Sequence, residues 1–189
     1  MLILKVPDIE VYNNETNKFT NIKGTTLQLE HSLVSLSKWE AKWNKPFLTK
    51  DEKTKDEIRD YIRFMTITQN VDPELYTHLP DKFIKEINDY IEASMTATWF
   101  SDKQDPKTSK EVITAEIIYY WMITQNIPIE FQKWHLNRLM TLIRVCSIKN
   151  KEAEDNAKHK GKHRRPNKQA IASRNAINEA RRAQLNSKG

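Results

Sequence analysis

The sequence predicts an α+β fold, predominantly α-helical, with a small N-terminal β-sheet packed on a helical core and a basic C-terminal extension. Three observations carry this. Short runs of β-formers bounded by turn residues fill the first thirty or so positions. Apolar residues then recur at helical spacing as far as Ile148. Beyond that point the apolar pattern gives way to basic residues. These shifts divide the chain into a globular body, 1–150 (1–31 β-rich, 32–150 mainly helical), and a basic linker with a tail helix, 151–189.

In chain order, Met1–Val6 (MLILKV) reads as a strand ended by Pro7. Val11–Phe19 places turn residues between β-formers, which is a hairpin pattern. Thr25–Glu30 (TTLQLE) alternates and forms a third strand. Leu29, Leu33, Leu36, Glu40 and Trp43 then follow helical spacing, and Pro46 ends the run. Thr54 to Glu57 is a capping-box pattern ahead of Ile58, Tyr61, Ile62 and Met65. Asp72-Pro73 marks a turn, and Pro80-Asp81 opens a helix carrying Phe83, Ile84, Ile87, Tyr90 and Ile91. Met95–Phe100 reads as a short strand or tight connection, and Ser101–Lys110 as a solvated loop.

The stretch from Glu111 to Ile148 holds the longest apolar run, and two packed helices are expected there. Thr108 and Ser109 offer a helix start, and Ile113, Ile117, Tyr120, Trp121 and Thr124 recur at helical spacing. Val112, Ile118, Tyr119 and Ile123 widen the stripe until the helix is apolar nearly all round, so it should be buried. Pro128 fits the first turn of the second helix, which continues through Leu139, Leu142, Ile143 and Cys146. A loop of few residues makes the two antiparallel.

Charge is unevenly spread. From Lys149 to Gly189, seven Lys and five Arg stand against four acids, a net of +8, which leaves about −2 of the chain's +6 for the rest. Lys151–Lys168 lacks apolar periodicity and reads as a flexible linker. Lys168–Leu185 has an Ala-rich helical pattern that needs a partner to order fully. A body of roughly 150 residues buries about two-thirds of its unfolded surface, so it needs neither disulfide nor metal to fold. One cysteine forms no internal bridge, no stretch approaches the ~20 apolar residues of a membrane span, and no leader is evident, which points to a cytoplasmic setting.

Candidate chemistry is sparse. His31, His78, His135, His159 and His163 show no metal-ligand spacing, and three glycines offer no phosphate loop. Cys146, between Val145 and Ser147 on a helix expected to be buried, reads as a core residue. Glu111, Glu116 and Glu130 could serve acid-base chemistry with His135, but helix ends and solvent are the plainer roles. No catalytic, metal or cofactor set emerges. Partner binding is the better expectation. Arg138, with Trp134 and Trp121, has the composition of an interface anchor, but core packing is the plainer role for both Trp residues, which leaves Arg138 as the interface candidate. In the tail, Arg164, Arg165, Arg174, Arg181 and Arg182 can meet phosphates, another protein or solvent, and these three readings stay open.

Several blocks resemble a family of tailed-bacteriophage and Firmicute-prophage proteins encoded among tail genes. They are TTLQLEHSLVSLSKWEAKW (Thr25–Trp43), ITAEIIYYWMI (Ile113–Ile123), QKWHLNRLMTLIRVCSIKN (Gln132–Asn150) and RNAINEARRAQL (Arg174–Leu185). The resemblance implies a tail assembly chaperone that keeps tape-measure protein soluble while tube protein polymerises, present in the host cytoplasm during assembly. A minor virion component (tail, connector or baseplate) is the alternative it implies. It supplies no catalytic residues.

Overall fold

The computed structural model describes residues 1–13, 17–100, 112–161 and 168–185. The order of elements is β1 (Leu2–Lys5), β2 (Ile9–Asn13), β3 (Lys18–Ile22), β4 (Thr26–Leu29), α1 (Leu33–Trp43), α2 (Lys55–Met65), α3 (Pro73–Thr77), α4 (Asp81–Glu92), α5 (Ala115–Thr124), a 3-10 turn (Ile129–Lys133), α6 (Leu136–Gly161) and α7 (Lys168–Gln184). The fold is α+β and predominantly helical. It forms two units, Met1–Ser147 and Ile148–Gly189.

The strands make two small antiparallel sheets, not one. β1 pairs with β4, and the β2–β3 hairpin stands between them in sequence as a separate pair. The crossing between hairpin and β4 is tight at Gly24. A Cβ there would lie 2.3 Å from the backbone of Val6 and Pro7, so only glycine fits. The other edge of β4 is partly covered by the chain leaving α2: Ile67 N–H donates to the Gln28 carbonyl at 2.7 Å.

Local signals place several helices well. Ser32 caps α1 reciprocally with Ser35, and Asn44 ends it in the left-handed conformation. Leu29, read as part of that helical stripe, belongs to β4 instead. Thr54 and Glu57 form the expected capping box on α2. The Lys45 ammonium and the Thr54 cap hold the Glu57 carboxyl below its usual range. Asp72-Pro73 starts a short helix in place of a turn: Asp72 accepts from Glu74 N–H at 3.0 Å, with Pro73 as first residue. Residues 95–100 form no strand, because Met95 takes a positive φ of 50° that breaks extended backbone. The expected loop Ser101–Lys110, with the helix start at Thr108 and Ser109, lies outside the described residues.

Two apolar clusters share α1 as a wall. Trp39 packs into the first, with Leu4, Leu27, Ile62, Leu75 and Ile87. Leu33 and Leu36 pack into the second, with Ile118, Met122, Leu136 and Leu139. α1 can serve both because residues three and four apart, such as Leu33, Leu36 and Trp39, turn gradually around the helix.

The second unit departs from the expected linker. α6 continues to Gly161 although the apolar stripe ends earlier. Pairs such as Lys149–Glu152 at 2.9 Å, three residues apart, support it from the surface. The apolar side chains Ile171, Ile177 and Leu185 of the α7 segment are exposed. Truncation after Asn150 is expected to leave a cooperative unfolding transition, because both clusters lie before that point. Circular dichroism through a denaturant series checks this; a lost transition would mean that the tail completes the core.

Candidate protein-binding surface

α5 is where sequence and structure part most. It starts at Ala115, with Val112 and Ile113 before it, and the side chain of its N-cap Thr114 makes no capping bond. A carboxylate from α1 does that work. Glu40 Oε2 accepts from Ala115 N–H at 2.7 Å, while Oε1 accepts from Phe47 N–H at 2.7 Å. Glu40 is itself buried. Held this way, α5 turns Ala115, Ile118 and Met122 inward.

The opposite face stays open, against the expectation of a helix buried all round. Tyr120 is 64 % exposed and Ile123 72 %. Trp121 is half-buried, not core. It lines a groove of about 420 Å³ with Phe100, Gln125, Met140, Ile143 and Arg144. The Arg144 guanidinium lies 4.2 Å from the centre of the Phe100 ring. Gln125 donates to Ser147 Oγ at 2.8 Å and bounds one end. Trp99, next to Phe100 in the chain, is 85 % exposed.

The second predicted helix is also revised. Pro128 opens a 3-10 turn, and α6 begins only at Leu136. The end of α5 therefore meets α6 well inside its length, at Ser147, not as a tight antiparallel hairpin. Leu139 and Ile143 are buried as expected, whereas Cys146 is only half-buried. Phe131 stacks on Trp134 at 4.1 Å, and the Arg138 guanidinium covers the same Trp134 ring at 4.1 Å. Arg138 and Trp134 thus come together as read from sequence, while Trp121 belongs to the groove.

Of the tail residues, Arg174, Arg181 and Arg182 are exposed on α7, and Arg164 and Arg165 lie outside the described residues. Glu116 and Glu130 are exposed, and His135 turns its Nε2 to the Tyr90 carbonyl. Neither Glu116 nor Glu130 is hydrogen-bonded to His135 among the described residues, and Glu111 lies outside the described residues. Among the described residues, no group of three or more His, Cys, Asp or Glu could hold a metal ion, and no helix is long and apolar enough to cross a membrane.

A polar cluster that sequence reasoning missed lies where the two apolar clusters meet. The buried rings of His31 and His135 stand edge to face, 5.1 Å apart. His31 Nδ1 is 2.6 Å from the Tyr61 hydroxyl, and His135 Nε2 is 3.0 Å from the Tyr90 carbonyl oxygen. Burial, then the charge of His135, pushes His31 down to about 3. Burial also lowers His135, opposed by its bond to the Tyr90 carbonyl and by Glu30. Two isolated histidines far apart in sequence carry no local signal of such a meeting.

No protein-family model matches the chain, and comparison with curated proteins and with solved structures gave no significant match.

Proposed function

We propose that the chain is a non-enzymatic protein of bacteriophage tail morphogenesis, a tail assembly chaperone that binds tape-measure or tube protein. The observation that carries its binding role is the open apolar face of α5. Tyr120 and Ile123 project from a helix whose other face is fully packed, beside the groove at Trp121. Exposed apolar patches of this kind serve as protein contacts. The tail-module assignment itself rests on the sequence blocks from Thr25 to Leu185 that resemble tail proteins. The basic α7 adds a second contact that orders on docking and releases readily, which suits a chaperone that must let go as the tube grows.

The expected result is co-purification with tape-measure protein from lysates of assembling cells, together with absence from gradient-purified particles by mass spectrometry. Replacing Tyr120 and Ile123 by serine should abolish most of that capture, and deleting Lys168–Gly189 should weaken it. Stoichiometric presence in mature particles would replace the chaperone with a structural component of the virion. The exposed Arg174, Arg181 and Arg182 favour one further reading, nucleic-acid binding by the tail. Steeply salt-dependent binding to random duplex DNA, lost on tail deletion, would support that reading.

A further inference from the structure

The histidine cluster has a chemistry independent of any partner. A backbone carbonyl only accepts hydrogen bonds, so the neutral His135 ring carries its proton on Nε2, facing Tyr90. Its Nδ1 is then a bare acceptor, buried and without a hydrogen-bond partner among the described residues. A second proton would have to go onto that Nδ1, where no acceptor waits. The resulting cation would face His31 across 5.1 Å. Burying an uncompensated charge is costly, so the closed arrangement resists protonation.

The groups facing the pair come from every element around it. Tyr61 on α2 bonds to His31, and burial holds its hydroxyl neutral, as it does for Tyr90 on α4. Glu40 on α1 bears on Tyr61, but its two oxygens already hold Phe47 and Ala115. Glu30, after β4, is the carboxylate that bears on His135. It too is engaged, by the Tyr90 hydroxyl at 2.6 Å and the Met1 amino group at 2.8 Å. That amino group is itself a positive charge acting on His135.

The same two residues carry the backbone seam between α6 and the corner joining β4 to α1. Leu136 N–H donates to the His31 carbonyl at 2.7 Å, and Ser32 and His135 form an isolated antiparallel bridge. Beside them, Asn137 donates to the carbonyls of Ile91 and Ala93 at 2.9 Å each. We propose that His31 and His135 form a proton-operated latch: acid opens the seam at the start of α6 before the first apolar cluster comes apart.

The sign follows from the direction of both shifts. The closed state binds fewer protons than the open one below the ordinary histidine value, near pH 6.5. Closure is therefore complete above that value and is lost as pH falls towards the depressed ones. Each histidine that gains a proton on opening raises the open-to-closed ratio about tenfold per pH unit, and the pair about a hundredfold. Opening this one seam hydrates both rings, while Leu4, Ile62 and Met65 keep their contacts in the first cluster.

Hydrogen exchange on the full chain from about pH 7 to about pH 5, corrected for the intrinsic pH dependence, tests the latch. Amides from Leu136 to Ile143 should lose protection by about tenfold or more per pH unit below about pH 6, while those from Ile62 to Met65 hold theirs. The double variant His31→Gln, His135→Gln should lose this acid response. Unchanged protection of α6, simultaneous loss in both regions, or an acid response retained by the double variant would overturn the proposal. If the double variant does not fold, the wild-type exchange pattern decides alone.

Discussion

Leu139→Ala is expected to lower the unfolding free energy by about 2–5 kcal/mol, the range for deleting a fully buried leucine side chain. Leu139 is completely inaccessible in the second cluster, among Leu33, Leu36, Ile118 and Leu136. Its neighbours come from three helices, so local collapse cannot fill the space it leaves. Arg138, one residue earlier, is the control. Its guanidinium lies over Trp134 on the surface, where such a contact contributes about 0.5–1 kcal/mol. Arg138→Ala should therefore stay within about 1 kcal/mol of the parent. Denaturant midpoints at unchanged slope would measure both, and a reversed order would mean that the faces of α6 are assigned backwards.

Glu40→Ala is expected to cost about 3 kcal/mol or more. It strips the acceptor from two backbone N–H groups, Ala115 at the start of α5 and Phe47 beyond α1. The buried Ala115 donor left unpaired costs about 1–3 kcal/mol, and the half-buried Phe47 donor somewhat less. The carboxylate also opposes the positive end of the α5 dipole, which adds a few tenths to about 1 kcal/mol. Glu40→Gln keeps one acceptor oxygen but turns an amide NH₂ towards one of the two donors, so it should fall between parent and alanine variant. Hydrogen exchange would locate the damage: α5 amides should lose protection ahead of those in α2. Equal loss in both would show that Glu40 supports the whole body, not the start of α5.

Much of the fold was legible locally. The capping box from Thr54 to Glu57, the helix opened by Pro80-Asp81 and the hairpin that pairs Tyr12 with Phe19 all lie where the residues put them. Each of these signals acts within one turn or one ladder. The linker expected over 151–168 failed in its first part for a related reason. Absence of an apolar stripe was read as absence of helix, but Lys, Glu and Ala propagate a helix without burying anything.

The binding surface was only half legible. Arg138 and Trp134, four apart on adjoining elements, could be paired from spacing, and they stack. The open face of α5 could not. When a helix is apolar nearly all round, its periodicity does not say which side is inside: of the expected stripe, Ile113 and Trp121 pack partly against the second cluster, whereas Tyr120 faces out. Ala115, Ile118 and Met122 form the buried face because Glu40, on another helix, anchors where α5 begins.

By itself, then, the sequence determined the α+β class, the helical majority, the gathering of net positive charge in the last forty or so residues and the starts of α2, α4 and α7. Tertiary structure alone decided that the strands split into two sheets around Gly24, that α1 serves two clusters, which face of α5 is left open, and that His31 meets His135. The division has one physical cause. Propensity, capping and charge act between residues a few positions apart, whereas a buried carboxylate on a distant N–H, or two rings in one dry seam, depends on how the chain closes over itself.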